Sequence, residues 1–575
     1  MITKAKTHFL HSSFVLTILQ ALLVIGCLIP SAKAQSIPSA AEIDRTEPLQ
    51  LDRYKIEPEP VPESQQIPEG IRYSQPPQNA DQINLLLKSV SVQGVSVYTE
   101  GQIAEIFKAD LGQSVTLERI WLISDEITHK YRKDGYFLSR AFIPAQEIQD
   151  GQIIIKVVEG YIKQIDIEQK LQDKSVIKNL NENLLSHRPV SSKDLEHYHF
   201  LLTDLAGLQN LRGTLTPISN QKDGGVRLVY TRNDTPTSSG FVGINNLGSQ
   251  YLGPTEALAY WQGSLIPLHK TFVSIRSTAP ADEMKAVNAS HTLPLTADTS
   301  VTVSAGYTKA NPGFTLAPQE IESKSVDMGV TVTHKIIRQR LENWSASIGI
   351  DGRNSKSTIL DTTELSADKV RAVRLSSTYD TYDRTGAYNR GSVIVSRGLK
   401  ALSASKESDL NLSRDGAKPD FTKLEAEYIR YQAFPHDIAV SAVVRGQKSS
   451  GSLYSSEEFG FGGSDMGRAY DSSEITGDDG IAASAELQYN GTPELGYFQV
   501  QPYAYYDIGK VWNHNDGQIE SISGSSAGLG VRFEHVSGLT GSLQAALPLT
   551  KKSDTPLYGG SQKGPRVGFQ VGYKF

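Results

Sequence analysis

The last nine residues constrain the fold more than any other stretch. Val567, Phe569, Val571, Tyr573 and Phe575 are all apolar and alternate with Gly568, Gln570, Gly572 and Lys574. A strand places successive side chains on opposite faces, so one face here is wholly apolar and the other is polar or bare. An apolar outer face running to a terminal Phe has no use in a soluble fold, but it suits a strand with lipid on one side and water on the other. The pattern recurs upstream. Ser300–Lys309 sets Val301, Val303, Ala305 and Tyr307 on one face, and Ile438–Gly446 alternates likewise. From about Ser238 to Phe575 there is no convincing long helix, and turn-forming residues divide the stretch into about sixteen candidate strands of ~21 residues each. That is enough for the ~9–11 residues of a tilted spanning strand plus a loop. A soluble β-sandwich or solenoid is the alternative, and it leaves the apolar outer face without a purpose. The expectation is a mainly β protein, with a 16-stranded transmembrane antiparallel β-barrel over 234–575 enclosing a water-filled bore.

The N-terminus reads as a targeting signal. Lys4 and Lys6 precede an apolar run from Phe14 to Ile29, and Ala32-Lys33-Ala34 before Gln35 forms an A-x-A cleavage site, which assigns 1–34 to a signal peptide. Val24-Ile25-Gly26-Cys27 loosely resembles a lipid-attachment box, but the apolar run continues past Cys27 to the A-x-A site. Cleavage after Ala34 removes the only cysteine, and with it any disulfide or cysteine-based metal site. No other apolar run reaches ~18 residues, so no spanning helix is expected. With 57 basic and 63 acidic side chains there is no cationic footprint for nucleic acid. Residues 35–82 carry Pro38, Pro48, Pro58, Pro60, Pro62, Pro68, Pro76 and Pro77, a spacing that favours extended linker. Within it Ala40–Tyr54 offers one short helix, with Pro48 inside.

Two small α+β units follow. In 83–160, Leu85 to Gly94 reads as a strand with Val90, Val92 and Val95 apolar. Thr99 caps a helix running to about Phe107, and Leu117–Lys133 is a second helix ended by Asp134-Gly135. Strands Tyr136–Ile143 and Gln152–Glu159 complete a β-α-α-β-β order. In 161–233 the order repeats: a strand at Tyr161–Ile167, helices near Leu171–Leu185 and Lys193–Leu205, and strands near Asn210–Thr216 and Gly225–Thr231. An open sheet edge in such a unit lets an unfolded chain add as a further strand, through main-chain bonds that tolerate many sequences.

One segment breaks the run of barrel strands. Phe459 to Gly480, FGFGGSDMGRAYDSSEITGDDG, is Gly-rich and charged, with Arg468 between Gly467 and Ala469 and with Tyr470 next. An Asp on a barrel strand faces lipid or lumen, and lipid is costly. Asp507, in Tyr505-Tyr506-Asp507-Ile508-Gly509, therefore needs a lumenal partner, and a guanidinium meets a carboxylate through two hydrogen bonds. The expectation is that loop 451–480 folds into the bore and is held by Arg468 on Asp507. Phe461-Gly462-Gly463 lacks the Gly-Lys-Ser/Thr ending of a phosphate cradle. No H-E-x-x-H motif, clustered metal ligands or nucleophile elbow occurs, and Asp478-Asp479 reads as a turn. No metal, cofactor or catalytic residue is assigned, and the function inferred is polypeptide export, without enzyme activity.

These residues resemble the two-partner secretion transporters, the haemolysin and filamentous-haemagglutinin exporters of Gram-negative outer membranes, over nearly the whole mature chain. Tyr131-Arg132-Lys133-Asp134-Gly135-Tyr136, Ala141-Phe142-Ile143-Pro144 and Val157-Val158-Glu159-Gly160 look like the family's first polypeptide-transport-associated (POTRA) domain. Gln501-Pro502-Tyr503 and Tyr505 to Gly509 look like its aromatic-x-Asp-x-Gly strand. Where the family usually reads Val-Arg-Gly-Tyr, this chain has Gly467-Arg468-Ala469-Tyr470. The resemblance implies POTRA 1 over 83–160 and POTRA 2 over 161–233, both in the periplasm, and a plug helix that only Ala40–Tyr54 can supply. It also implies ATP-independent export of one large β-helical partner polypeptide: a haemolysin, an adhesin or a contact-dependent toxin. Further partners are outer-membrane lipid and the barrel assembly machinery, with Tyr573 and Phe575 as the C-terminal assembly signal. An assembly factor that inserts other barrels is the alternative of the same architecture, but such factors usually carry more periplasmic modules. A passive solute porin would need neither modules nor inward loop, and a sugar-cleaving or proteolytic enzyme ranks last.

Overall fold

The computed structural model describes residue 41 and residues 75–575, apart from 219–222, 234–235, 280–282, 361–362, 492–496, 516–517 and 555–560. The expected signal peptide, the Pro-rich linker before residue 75 and the Ala40–Tyr54 helix lie outside the described residues, except for Ala41.

The first unit contains β1 (Asn84–Leu86), β2 (Ser89–Gln93), α1 (Glu100–Ala104), β3 (Ser114–Thr116), α2 (Leu117–Lys133), β4 (Arg140–Phe142) and β5 (Gln152–Val158). Thr99 and Gln102 form a capping box on α1, and Thr116 accepts the Arg119 N–H at the start of α2. Gly135, at φ +94°, ends α2 in a conformation that favours glycine. Ile120, Ile123, Ile127 and Tyr131 of α2 pack on Ile153, Ile155 and Val157 of β5. Three expectations change here. The strand expected from Leu85 to Gly94 is two strands, because Leu87 turns into the core and its backbone bonds to Gly112 and Gln113. The helix after Thr99 ends at Ala104, and a 3₁₀ turn follows at Lys108–Asp110. The strand expected from Tyr136 begins only at Arg140, since the Tyr136 N–H bonds back to the Tyr131 carbonyl and the Ser139 N–H to that of Tyr136. At the exit, the Glu159 carboxylate accepts the Tyr131 hydroxyl and the Ser96 N–H, both at 2.7 Å. Burial, with that bond to Glu159, pushes the Tyr131 phenol far above its ordinary value.

The second unit contains β6 (Tyr161–Asp166), α3 (Gln169–Gln172), α4 (Ser175–Ser186), α5 (Ser192–Thr203), β7 (Leu211–Pro217) and β8 (Gly225–Arg232), with sheet order β6-β8-β7. The helix expected over Leu171–Leu185 is broken in two, because Lys174 adopts an extended conformation between α3 and α4. The core of this unit (Ile162, Ile177, Leu184, Tyr198, Leu202 and Leu228) takes in Leu268 from the barrel, with Ala297 packed against it.

The barrel follows. Its first strands are β9 (Ser239–Asn245), β10 (Thr255–Gly263), β11 (Lys270–Ala279), β12 (Met284–Pro294), β13 (Thr299–Ala310) and β14 (Glu322–Arg338). Next come β15 (Glu342–Ile359), β16 (Thr363–Tyr382), β17 (Tyr388–Gly398), β18 (Thr422–Phe434) and β19 (Ile438–Ser449). A short hairpin, β20 (Phe459–Phe461) with β21 (Ile475–Gly477), stands apart from the wall. The wall resumes with β22 (Asp479–Tyr489), β23 (Phe498–Asn515), β24 (Gln518–His535), β25 (Leu539–Pro548) and β26 (Arg566–Lys574). Sixteen strands, all paired antiparallel to their neighbours, close where β26 pairs with β9. Phe575 completes that seam: its N–H donates to the Gly240 carbonyl at 3.0 Å, and the Gly240 N–H returns a bond of 2.8 Å.

Alternation sorts the two faces. Val303, Val330 and Ile350 are cross-strand partners, as are Val332, Ile348 and Leu375 in the next outward row, and all six are exposed. Tyr573 and Phe575 are on the same outer face. Among the described residues no helix is long and apolar enough to cross a membrane, so the lipid crossing belongs to the strands. The second unit leads directly into β9 and touches the barrel at one end only. Asp204, the C-cap residue of α5, accepts from Arg338 Nε (2.8 Å) and Lys335 Nζ (2.7 Å) at the end of β14, and Ala206 bridges to Leu268. The end carrying the turns β10–β11, β12–β13 and β14–β15 is therefore periplasmic, and the β19–β22 connection starts from the external end.

Candidate functional site

The β19–β22 connection does not extend outward. It turns into the barrel, where Phe459, Phe461, Met466, Tyr470 and Ile475 are buried against Ala482 of β22 and Val511 of β23. The wall accepts these rings because it is bare beneath them. A Cβ on Gly509 would stand 2.4 Å from the Phe461 ring, and one on Gly524 would stand 2.7 Å from Ile475 and 3.1 Å from Tyr470. Tyr470 donates its hydroxyl to the Ser525 carbonyl at 2.9 Å, with the Lys551 carbonyl 3.0 Å away. Gly467 has φ +73°, which turns the chain so that Arg468 aims at the wall.

Arg468 and Asp507, 6% and 0% exposed, are brought together inside the barrel. The guanidinium is bidentate: Nε donates to Oδ2 at 3.1 Å and Nη2 to Oδ1 at 3.0 Å. The backbone N–H groups of Gly467 and Arg468 both donate to the same Oδ2 at 3.1 Å. Ser484 donates to Asp507 Oδ1 at 2.8 Å and Ser526 to Oδ2 at 3.3 Å, so the carboxylate is fully occupied. Arg468 Nη1 also reaches Glu486 Oε2 at 2.8 Å, and its guanidinium carbon lies 3.5 Å from the Tyr505 ring centroid. Glu486 is shared with Arg532, whose two Nη atoms meet it at 2.6 and 3.0 Å. Ala469 packs on Tyr503, Tyr505 and Ala546.

Three further anchors hold the loop. Glu457 accepts from Arg374 (2.7 and 3.1 Å) and pairs with Lys423 at 3.0 Å. Asp478 pairs with Arg414, and its two oxygens also accept the Leu453 and His514 N–H groups at 2.7 and 2.8 Å. Asp471 accepts from the Gln250 N–H at 2.7 Å and from Arg566 at 3.3 Å, which ties the loop to the closing strand. Asp478-Asp479 is thus not the turn expected from its glycine flanks. Asp478 is a buried ion-pair partner, and Asp479 opens β22, bonding the Ser449 N–H at 2.7 Å and His514 at 2.8 Å. The flanking Gly477 and Gly480 suggested a turn, but a loop folded inward puts its base against cationic neighbours.

Sequence reasoning missed Glu486, Ser484 and Arg532. The signal was present: Ala482, Ser484, Glu486 and Gln488 alternate with Ile481, Ala483, Ala485 and Leu487, which sets Glu486 on the lumenal face by the argument used for Asp507. Nothing local distinguished Arg374, Lys423, Arg414 or Arg566 from other strand and loop cations. At the external end Ala41 is buried against Tyr251, Leu316 and Ile321. Among the described residues no group of three His, Cys, Asp or Glu side chains is placed to hold a metal.

The sequence profile of the haemolysin secretion/activation protein family ShlB/FhaC/HecB matches residues 227–531, and that of the ShlB-type POTRA domain matches residues 85–160. The heme/hemopexin transporter protein HuxB of Haemophilus influenzae is 22% identical over 557 residues, 91% of this chain and 94% of that protein. The outer membrane transporter CdiB of Dickeya dadantii is 22% identical over 489 residues, 81% of this chain and 82% of its own. CdiB from Escherichia coli shares the fold, with a TM-score of 0.70 at 18% identity over 98% of both chains.

Proposed function

This chain belongs to the haemolysin secretion/activation protein family ShlB/FhaC/HecB, and we propose that it exports one large β-helical polypeptide without ATP, holding its pore loop on Arg468. It is an outer-membrane transporter of the two-partner secretion type: the barrel spans the membrane, the POTRA region lies in the periplasm, and the cargo is a secreted partner protein. The finer reading assigns 83–160 and 161–233 as POTRA 1 and POTRA 2, and gives their open sheet edges the task of taking up the unfolded partner as an added strand. In that reading the chain is a conduit, with no catalytic step. The partner enters extended and folds outside, where folding opposes its return.

The observation that carries this reading is the inward loop, neutralised by buried partners on the wall while a periplasmic unit is docked at the inner mouth. A closed pore of this design opens only if something shifts the loop's population, and a bound partner supplies such a difference in free energy. The test is co-expression with a candidate large secreted β-helical protein, with partner measured in the medium. The full chain should release partner, and deletion of Leu85–Glu159 should abolish both its binding and its release while the barrel still assembles. Binding that persists in the truncated protein would remove the recognition role of that unit.

A further inference from the structure

The outer face of the barrel carries a row of like charges. Lys285 of β12, Lys309 of β13, Lys324 of β14 and Lys356 of β15 stand directly opposite one another on four consecutive strands. Each shares a face with exposed apolar residues of its own strand: Val287, Tyr307, Met328 and Ile350. All four lie within three residues of the external strand ends. On β15 the outward Trp344 lies twelve residues below Lys356. At about 3.3 Å per residue and a tilt of about 35–45°, that separation is about 30 Å along the membrane normal, the thickness of the hydrocarbon layer. Trp344 thus marks the periplasmic interface and the lysine row the external one. Like charges directly opposite on a sheet destabilise it, so such a row calls for anions against it. Glu322 meets Lys309 and Lys324, and Glu364 meets Lys356 at 3.0 Å. Four cations against these two carboxylates leave the row cationic.

We propose that this row binds the phosphate groups of lipopolysaccharide, the phosphorylated glycolipid of the outer leaflet. The proposal depends on the membrane crossing alone and not on the export reading. An ammonium is a compact point charge with three donors, which suits a phosphate approached from several directions. Neighbouring strands are about 4.8 Å apart, so the row presents its charges over about 14 Å, enough to meet more than one phosphate. The next outward row toward the periplasm is Val287, Tyr307 and Val326, an apolar surface for the acyl chains of the same lipid. The seam is different: at the external ends of its strands the outward positions are Ile244, Leu547 and Val567. The lipid is therefore held on one arc of the barrel. A partner polypeptide leaving the pore is the other source of anionic groups, but the row faces away from the bore.

The test uses the full chain purified in detergent, with purified lipopolysaccharide, its dephosphorylated form and phosphatidylglycerol vesicles as probes. Lys285→Gln, Lys309→Gln, Lys324→Gln and Lys356→Gln together should lower bound lipopolysaccharide at least ten-fold, with heat-modifiable migration as in the parent. The same four positions changed to Arg should retain binding, which separates loss of charge from damage to the sheet. Removing equal charge from the periplasmic units, by Lys88→Gln, Lys108→Gln, Lys170→Gln and Lys178→Gln, should leave binding as in the parent. The dephosphorylated lipid should bind the parent at least ten-fold less. Equal binding by the glutamine variant and the parent, or of the two forms of the lipid, would overturn the proposal. A preference for phosphatidylglycerol would also overturn it, as would lipopolysaccharide binding that is unchanged in the glutamine variant while a secreted partner is captured more weakly.

Discussion

Arg468, Arg532, Glu486 and Asp507 are two cations and two carboxylates that neutralise one another, with Arg468, Glu486 and Asp507 buried and Arg532 reaching them from the water-exposed side. Removing one partner of such a set leaves an uncompensated buried charge, which typically costs about 3–5 kcal/mol. Arg468→Ala should therefore undock the loop and leave the barrel folded: unchanged heat-modifiable migration, higher pore conductance and at least ten-fold less partner in the medium. Unchanged export at equal surface level would remove the anchoring role. Arg468→Lys should fall between, because an ammonium offers one point charge where two carboxylates and a ring face require a planar fork. Asp507 was legible as a partner for Arg468 because a carboxylate on a barrel strand has only one tolerable side. The other half of the cluster demanded knowing that the β22 and β23 lumenal faces adjoin, with Ser484 opposite Asp507 and Glu486 opposite Tyr505.

At the level of elements, the joint between the second periplasmic unit and the barrel is built from the end of α5, the β10–β11 turn and the end of β14. Desolvation by the docked strand raises the Asp204 carboxyl, but bonds from Arg338 and Lys335 outweigh it and hold the group below its ordinary range. A depressed folded value adds stability that is fully present above the unfolded value of about 3.9 and is lost as pH falls through the folded one. Limited proteolysis of the joint should accordingly be flat from pH 8 to about 5 and rise only in stronger acid. Asp204→Asn should remove that dependence. Leu268→Ala, which empties a buried site in the unit's core, should loosen the joint by about 2–5 kcal/mol at all pH values. Equal protease resistance of this variant and the parent would show that the unit holds its place without the barrel turn. None of this was readable in the sequence, since Leu268 sits in a short loop between two strands and its burial depends on a partner more than fifty residues upstream.

For the molecule as a whole, the membrane crossing makes the two faces of each strand unequal. Val330 points to lipid at the middle of β14 and its neighbour Thr331 points to the bore. Val330→Arg should cost about 2–4 kcal/mol and deplete assembled barrel, and Thr331→Arg should assemble as the parent does. The yield of heat-modifiable barrel in outer-membrane fractions reads the difference, and equal loss in both variants would contradict the assignment of faces.

The chain's own residues determined that it forms a closed barrel of sixteen strands, that two small α+β units precede it, and that Arg468 belongs with Asp507. Each of these follows from a local rule: period two along a strand, period near four along a helix, and the intolerance of lipid for charge. Tertiary structure alone decided where the broken elements end, as at Leu87 and Lys174, because buried contacts override a run that reads as continuous. It also decided that Asp478 is an ion-pair partner and that Glu457 and Asp471 are anchors. Those outcomes depend on which distant strands become neighbours when the sheet closes, and closure is a property of the whole circumference that no short stretch of sequence carries.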